Sequence, residues 1–387
     1  MTINFDLPDE SLMMRDTVRE FAEKEIQPLA PELDEKEEFS LELTKKMGDL
    51  GLMGITIPEE YGGSGLTYLS YIVAVEELAR IDGSQAATVA AHNSLGIGPL
   101  YYFGSKEQKE YYLPKLTTGE KLWGFGLTEP EAGSDAGGTK TKAVQEGNEW
   151  VINGSKIFIT NGSTPASLGS TVQTITGTRA DGRGKEYTCF LVEQGTEGFE
   201  TRTMHKKICW RASITSELYF TDCRVPESNM LGSRGEGFHQ MLDTLDKGRL
   251  SIGAMGLGCA QGAFELALDY AKQRKAFGQP ISKFQVNAFK LADMAVEIEA
   301  ARNLLYKATW LFDQGRDEYK KLAAMAKLYC SEISKRVVHQ AVQLHGGYGL
   351  MKEYPVERFY RDQRLLEIGE GTSEIQRLVI ARNLGCF

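Results

Sequence analysis

The chain has 387 residues, of which 42% are hydrophobic and 25% charged, and its formal net charge is −9 at pH 7. This composition is typical of a globular protein with two or three folding units, and no apolar run reaches the ~20 residues needed to cross a bilayer. The acidic balance argues against general nucleic-acid binding, because phosphate contacts require a surplus of Lys and Arg. We therefore expect no integral membrane segment and no nucleic-acid partner.

The first residues, Met1–Asp6, show neither a basic start with an apolar core nor an Arg-rich, acid-poor character. We therefore expect no secretory or organelle address and a cytoplasmic location. The six cysteines lie far apart without Cys-x-x-Cys spacing, and the five histidines form no metal-ligand motif. Buried free thiols in a reducing compartment, and no metal site, are the resulting expectations.

The N-terminal third is predicted to be helical. Leu12, Met13, Val18 and Phe21 recur at three- and four-residue spacing, which is the periodicity of an amphipathic helix. Prolines and glycines interrupt the pattern further on and mark loops between successive helices. We interpret residues 1–121 as an all-α domain.

The pattern then changes to short β-rich runs. Two of them, Trp150–Ile152 and Lys156–Thr160, flank Asn153-Gly154, a dipeptide typical of two-residue hairpin turns. Residues 122–233 are therefore predicted to form a small antiparallel β-barrel or sandwich.

Helical periodicity returns in the last part of the chain. Val286, Phe289, Met294 and Ile298 belong to one long apolar stripe. Such stripes indicate a four-helix-type bundle over residues 234–387, whose outer faces often serve as subunit contacts. The predicted fold class is α+β with three domains in the order helical, β and helical.

Glu370 lies between Gly369 and Gly371, just before a predicted helix start. Ser373 and Gln376 have the spacing of a capping box, which places that start directly after the carboxylate. The glycines allow the backbone to approach a ligand closely. The segment predicts either a catalytic base at the mouth of a helix or an acidic residue that solvates a turn.

Several segments, taken in order, resemble those of the acyl-CoA dehydrogenase family. They are Gly126–Asp135, Asn153–Lys156 with Phe158–Asn161, Gln273–Gly278, and Glu370–Thr372. The resemblance extends over essentially the whole chain and implies an FAD flavoprotein that removes two hydrogens across the bond next to a CoA thioester. It also implies that Glu370 is the base that abstracts the α-proton while the β-hydride passes to flavin N5.

The resemblance implies contacts with the cofactor and the substrate as well. The implied FAD contacts are Phe125, Leu127, Thr128, Phe158, Thr160, Thr372 and Glu374, with Arg274, Phe277, Gln285, Gln343 and Gly347 reaching the FAD of a neighbouring subunit. The implied acyl-CoA contacts are Ser134, Asp246, Arg249 and Gly371. By residue type alone, the threonines could be ordinary strand residues, the phenylalanines core residues, and the Asp–Arg pair a surface helix pair.

Because members of the family build each flavin site from two chains, the resemblance implies a homotetramer. It also implies an electron-transferring flavoprotein as the electron acceptor. Gly369 replaces an aromatic residue common before the base, so we expect room for an α-branched, cyclic or otherwise bulky acyl group, unless another aromatic side chain fills the gap. Ala91–Leu95 resembles the corresponding segment of short-chain members, so the expected acyl group is short, branched or cyclic. Gly248 occupies the slot where some members place their base. The position near Ala86 lacks the arginine of glutaryl-specific members, which argues against a dicarboxylic substrate. His92 could face the pocket or contribute to packing, and we favour packing.

Other functions stay open on the sequence. The same fold could run in reverse as an enoyl-CoA reductase, act as an acyl-CoA oxidase, or serve as a non-catalytic flavin- or CoA-binding module. The carboxylate of Glu370 favours a catalyst, whereas acyl chain length, electron acceptor, direction and pathway are not specified by the sequence.

Overall fold

The structure is a computed structural model that describes residues 6–179 and 181–386. The expectation of no N-terminal address was based mainly on residues 1–5, which lie outside the described part. No described helix is both long and apolar enough to span a membrane. The six cysteines are free thiols, and all but Cys386 are buried, as expected.

The N-terminal region is helical, as predicted. Its helices are α1 Asp9–Phe21, α2 Ala30–Lys36, α3 Leu41–Asp49, α4 Tyr68–Ala79, α5 Gly83–Ala91, α6 Gly98–Phe103 and α7 Lys106–Leu116. Side-chain oxygens of Thr67, Asp82 and Ser105 accept hydrogen bonds from the first turns of α4, α5 and α7, which fixes where these helices begin. Every residue of α4 is buried, so this helix forms the centre of the region.

The middle region is built from β-strands. They are β1 Leu122–Gly126, β2 Lys142–Glu146, β3 Glu149–Thr160, β4 Ser167–Thr178, β5 Lys185–Glu193, β6 Phe199–Thr203, β7 Thr215–Pro226 and β8 Met230–Leu231. Their order in the sheet is β6-β7-β3-β2-β4-β5-β8, with β1 paired in parallel with β4.

The sheet does not close into a barrel and is not purely antiparallel. Within the described strands, β6 and β8 stand at opposite ends of the order, and the two halves are joined through the parallel pair of Lys142 and Ile175. The halves share one core, in which the rings of Trp150 and Phe190 lie 5.2 Å apart. Of the two predicted alternatives, the closed barrel is not found among the described strands, and the sandwich stays a prediction.

The predicted hairpin at Asn153-Gly154 is wrong. Strand β3 continues through both residues, and the two-residue turn lies instead at Gly147-Asn148, between β2 and β3.

The Asn-Gly pair lies opposite a bulge in β7, where Thr221 and Asp222 together oppose Asn153 and the strand register shifts. Gly154 has a φ of 144°, and a Cβ there would lie 2.5 Å from Thr141 Oγ1. Asn153 exchanges two hydrogen bonds with Asp222 on β7, at 3.0 and 2.9 Å. The glycine is therefore required by a close approach of two strands rather than by a turn.

The C-terminal region is helical, as predicted. It contains α8 Gly237–Gln273, a small hairpin of β9 Lys275–Ala276 and β10 Gln279–Pro280, α9 Gln285–Asp313, α10 Tyr319–His345, α11 Val356–Leu366 and α12 Ser373–Asn383. Three of these helices are long, with 37, 29 and 27 residues, whereas α11 and α12 have 11 each. These helices do not confirm the predicted four-helix-type bundle, which stays a prediction.

The helices of both ends of the chain share one apolar core. Leu78 of α4, Leu257 of α8, Leu305 of α9 and Val338 of α10 are fully buried members of it. This arrangement places α4, α8 and α10 around the turn between α11 and α12, which contains Glu370.

Candidate active site

Glu370 lies in a turn with an unusual backbone. Glu370 and the following Gly371 have φ angles of 51° and 92°. The left-handed conformation costs a non-glycine residue about 1–2 kcal/mol, so it persists only where surrounding contacts hold it. Gln376 of α12 is fully buried and donates from Nε2 to the carbonyl oxygens of Glu370 and Gly371, at 3.1 and 3.0 Å.

The start of α12 differs from the predicted capping box. Thr372 is the N-cap residue, and its hydroxyl accepts the N–H of Ile375 at 3.3 Å. The N–H of Ser373 donates instead to the carbonyl oxygen of Glu367 at 3.0 Å. The predicted box is therefore wrong by one residue, because the threonine hydroxyl caps the helix first and releases Gln376 to bond the preceding turn.

The side chain of Glu370 is half-buried, and one of its carboxyl oxygens is enclosed. Its Oε2 atom is inaccessible to solvent and has no hydrogen-bond partner among the described residues. The same atom faces α8 at Gly248, where a Cβ would lie 2.0 Å from it. Burial raises the pKa of Glu370 to about 7, against the positive charges of Lys327 and Arg249, which lower it. A carboxyl group of this kind can exchange a proton near neutral pH.

Asp246 and Arg249 form an ion pair on α8, beside Gly248. Arg249 is buried, and its Nε has no hydrogen-bond partner among the described residues. Asp246 and Arg249 are therefore not an ordinary surface helix pair, which was the alternative interpretation of these residue types. Burial raises the pKa of Asp246, and Arg249 opposes this rise. The structure thus brings Arg249 near Glu370, whereas Ser134 lies exposed in the loop between β1 and β2.

Sequence reasoning missed Lys327, on α10. This side chain is fully buried, and its Nζ donates to the carbonyl oxygen of Gly371 at 2.7 Å. A lysine within a face of small and apolar residues was the available signal, but helical spacing alone does not show which turn the ammonium group would reach.

The predicted flavin contacts of the middle region lie in two adjacent segments: Phe125, Leu127 and Thr128 at the end of β1, and Phe158 and Thr160 at the end of β3. The N–H of Ile157 donates to the carbonyl oxygen of Thr128 at 2.9 Å, which joins the segments. Phe125 and Leu127 are buried, and the two threonines are partly exposed. Phe158 has a φ of 62° and exposes 62% of its surface, so an aromatic face is available to a ligand.

A buried ion pair that was not predicted connects the same segments. Lys156 Nζ lies 2.8 Å from Glu129 Oε1 and donates to the carbonyl oxygen of Leu127 at 3.1 Å. The carboxylate also accepts the N–H groups of Lys140 and Thr141, at 2.7 and 3.0 Å. Burial lowers the pKa of Lys156 to about 8, and Glu129 opposes part of this shift.

A third set of predicted contacts surrounds the β9–β10 hairpin. Arg274 and Gly347 line a surface cavity of about 560 Å³, in which the Arg274 guanidinium lies 5.7 Å from the ring of Tyr348. Phe277 is 96% exposed on the hairpin, and Gln285 is exposed at the start of α9.

This third set lies far from the Glu370 turn of the same chain. Gln343 is exposed near the end of α10, and Lys327, which contacts the turn, precedes it by about 24 Å of helix. The remaining predicted contacts, Thr372 and Glu374, lie at the start of α12, where Thr372 caps the helix and Glu374 is exposed.

His92 is buried in packing, in agreement with its interpretation from the sequence. Its Nε2 bonds to the carbonyl oxygen of Leu116 at 2.9 Å, and its Nδ1 accepts the N–H of Trp123 at 3.4 Å. Burial lowers the pKa of His92 to about 4, so the ring is neutral and connects α7 to β1.

Comparison with known proteins gives consistent matches along the chain. The N-terminal, middle and C-terminal domain models of acyl-CoA dehydrogenase match residues 8–120, 124–223 and 235–385. The probable acyl-CoA dehydrogenase YngJ of Bacillus subtilis (strain 168) is 52% identical over 382 residues, which cover 99% of this chain and 100% of that protein.

Solved structures agree. Butyryl-CoA dehydrogenase from Megasphaera elsdenii is similar with a TM-score of 0.94 and 43% identity, covering 99% of this chain and 100% of that chain. A chain solved in work on the electron transferring flavoprotein of Acidaminococcus fermentans has a TM-score of 0.95 and 44% identity, covering 99% of each chain.

The matches, which extend over all three regions of the fold, thus define an oxidoreductase of the flavoprotein class. The chain belongs to the acyl-CoA dehydrogenase family, whose cofactor is FAD. Its residues fit that cofactor: Phe158 presents an exposed aromatic face beside two partly exposed threonines, and Arg274 carries a planar fork suited to a diphosphate.

Proposed function

We propose that this enzyme dehydrogenates an acyl-CoA thioester to the 2-enoyl-CoA, with Glu370 as the base that takes the α-proton. The observation that carries the proposal is the Oε2 atom of Glu370, which is closed off from solvent and has no hydrogen-bond partner among the described residues. A buried polar group without a partner is costly, and such groups concentrate where a ligand completes the site.

The geometry around Glu370 suits proton abstraction beside a carbonyl group. A thioester carbonyl acidifies the neighbouring C–H bond, and a base whose pKa is close to the working pH removes such a proton most effectively; burial raises the pKa of Glu370 to about 7. The Glu370 N–H donates no hydrogen bond to another described residue, so it is free to bind the thioester oxygen as negative charge develops there. Bound FAD supplies the acceptor for the β-hydrogen.

The FAD contacts carried over from the family form two groups on one chain. The first includes Phe158 near the sheet edge, and the second includes Arg274 and Gln343 at the far end of α10. We propose that the second group binds the FAD of a neighbouring copy, in a homotetramer. Exposed apolar side chains beside it, Phe277 at 96% and Phe289 at 60%, support a surface that another copy covers.

The acyl group is proposed to be short, branched or cyclic. Gly369 places no side chain before the base, although a Cβ there would lie 2.9 Å from Leu365 Cδ2, so an aliphatic side chain occupies part of that space. The similarity to butyryl-CoA dehydrogenase from M. elsdenii favours a short chain.

An electron-transferring flavoprotein is the proposed electron acceptor. The similarity to the chain solved in work on the A. fermentans electron transferring flavoprotein supports this pairing. Because that work concerns electron bifurcation, reduction of a 2-enoyl-CoA is the second candidate direction. The cytoplasmic location stays a prediction from the sequence.

Anaerobic mixing of the purified FAD-loaded enzyme with a panel of CoA thioesters tests the proposal. We expect butyryl-CoA, 2-methylbutyryl-CoA or cyclohexanecarbonyl-CoA to abolish the visible flavin absorption and to yield the corresponding 2-enoyl-CoA. Palmitoyl-CoA and glutaryl-CoA should react slowly. Retention of the absorption with every thioester would overturn the proposed reaction, and a marked preference for palmitoyl-CoA would overturn the proposed substrate class.

A further inference from the structure

Lys327 is a fully buried lysine in the middle of α10. One turn away on either side lie Ala323, Ala324, Cys330 and Ser331, which are buried and uncharged. Removing an ammonium group from water costs several kcal/mol unless partners compensate, and lysine is almost never fully buried without a partner. An apolar residue would pack better at this position, so packing does not explain why a lysine is found there.

The ammonium group is directed at the Glu370 turn. Its Nζ donates to the carbonyl oxygen of Gly371 at 2.7 Å, and Gln376 donates to the same oxygen from α12 at 3.0 Å. The peptide that follows the carboxylate is therefore held between α10 and α12. Because Glu370 and Gly371 both have left-handed φ angles, these two hydrogen bonds stabilise a backbone that would otherwise relax.

The charged groups that act on the Glu370 carboxyl come from two helices. Lys327 on α10 and Arg249 on α8 both lower the pKa of Glu370 by their positive charge. Burial lowers the pKa of Lys327 itself to about 8, and the charge of Glu370 opposes this shift, so the ammonium group is charged at neutral pH. Arg249 is already paired with Asp246, whereas Lys327 donates to a main-chain carbonyl oxygen and forms no ion pair within 4 Å with any described carboxylate. The charge of Lys327 is therefore the less compensated of the two.

The other groups nearby are neutral or more distant. From α4, the buried hydroxyls of Tyr68 and Tyr71 face the same region, and burial raises the pKa of both, so they stay uncharged. Glu367 and Glu374, on either side of the turn, act on Lys327 but are not among the groups that act on Glu370.

We propose that Lys327 is a positioning residue for Glu370: its ammonium group fixes the carbonyl oxygen behind the base, and its positive charge favours the ionised form of the carboxyl group. The hydrogen bond determines the position of the carboxylate. The charge determines the pH range in which the carboxylate is ionised and can accept a proton. This inference depends on the proposed role of Glu370 as the base.

Three substitutions separate the two effects. In Lys327→Met, which removes donor and charge at similar volume, kcat should fall about 10- to 100-fold, and the acid limb of the kcat/KM profile should move up by about one pH unit or more. Lys327→Gln retains a donor without charge, so the limb should move by a similar amount with a smaller loss of kcat. Lys327→Arg retains the charge, and the limb should stay near its wild-type position.

Ser331→Ala is the matched control, because Ser331 lies one turn further along α10 and its hydroxyl donates to main-chain carbonyl oxygens of that helix. It should leave the limb unchanged. A second readout needs no turnover: difference infrared titration of the Glu370 carboxyl, assigned with Glu370→Gln, should show the same upward shift in Lys327→Gln and not in Lys327→Arg.

An acid limb and a carboxyl titration at the wild-type pH in both the Met and the Gln variant would overturn the inference. Loss of folding in the Met variant leaves the comparison of Gln with Arg decisive, since they differ in charge and not in the presence of a donor. Failure of the wild-type enzyme to react with any thioester would instead defeat the proposed function, so the two failures are distinguishable.

Discussion

Gly248 and Glu370 are in direct contact across α8 and the α11–α12 turn: a Cβ at position 248 would lie 2.0 Å from Glu370 Oε2 and 3.0 Å from its carboxyl carbon. The carboxylate can therefore occupy its enclosed position only because position 248 has no side chain. The same contact explains how one cavity could receive a base either from α8 or from the α11–α12 turn, since residues at 248 and 370 meet at the same point.

Gly248→Ala should displace the Glu370 carboxylate and lower kcat/KM at least ~100-fold, because a misplacement of about 1 Å is enough for such a loss. The alanine should not weaken α8 itself, since alanine favours helix over glycine. Steady-state kinetics with the best thioester of the panel measures the effect.

Gly253→Ala on the same helix is the control. Its Cβ would meet only the flexible Cδ1 atom of Leu305 within 3.0 Å, so activity should stay within a few-fold of wild type. Equal losses in the two variants would show that the contact with Glu370 is not the cause.

Glu370→Gln should change how stability depends on pH. Burial raises the pKa of Glu370 from 4.5 to about 7, so the fold favours the protonated carboxyl. That contribution is fully present below pH 4.5 and is lost as the pH rises through 7, which amounts to about 3 kcal/mol by pH 8. The neutral glutamine should therefore raise the free energy of unfolding relative to wild type at pH 8 and have little effect at pH 4.5.

Thermal unfolding of both proteins across this pH range is the measurement. Glu374→Gln, at an exposed carboxylate in the first turn of α12, is the control and should bring no gain at pH 8. A stability difference between wild type and Glu370→Gln that does not change with pH would contradict the burial of an ionising carboxyl.

Lys156→Met should lower both stability and FAD content. The substitution leaves the Glu129 carboxylate buried without its ion-pair partner, which costs roughly 3–5 kcal/mol. It also removes a contact that holds together the segments that carry Thr128 and Phe158. The ratio of bound flavin to protein and the midpoint of urea unfolding should both fall.

Lys140→Met provides the comparison, because the pair of Lys140 and Glu131 is 70% exposed on both sides and such surface pairs contribute about 0–1 kcal/mol. Full flavin content in Lys156→Met would show that the buried pair does not hold the flavin-binding segments.

Gly154→Ala should destabilise the β-domain by about 1–3 kcal/mol, because the added Cβ would overlap Thr141 where two strands approach closely. Gly133→Ala, where nothing lies within 4 Å of the new Cβ, should change stability by less than about 0.5 kcal/mol. Denaturant unfolding of the two variants measures the difference, and equal stabilities would rule out the close approach to Thr141 as the reason for the glycine.

Much of the fold could be predicted because it depends on local patterns. Apolar residues at helical spacing predicted the helices at both ends, and β-rich runs predicted the strands between them. Local patterns failed where a long-range contact decided the structure. Asn153-Gly154 has the chemistry of a hairpin turn, but hydrogen bonds to Asp222, far along the chain, hold it within a strand.

In the candidate site, too, local patterns identified some residues, and residues placed by long-range contacts were missed. Glu370 could be singled out because its neighbours in the sequence are two glycines and a helix start. Lys327 could not, since its contact with Gly371 spans 44 residues and depends on how α10 packs against the turn. The exact cap of α12 was also missed, because Thr372 and Ser373 are both good capping residues and only the turn geometry chooses between them.

The most direct test of Glu370 as the base is single-turnover reduction of bound FAD by the preferred thioester, measured without oxygen in wild type and in Glu370→Gln. We predict that both proteins are yellow and bind the thioester, and that flavin reduction in the variant is slower by a factor of about 10²–10⁴, the usual contribution of a general base. Reduction of the flavin in Glu370→Gln at the wild-type rate would contradict the account.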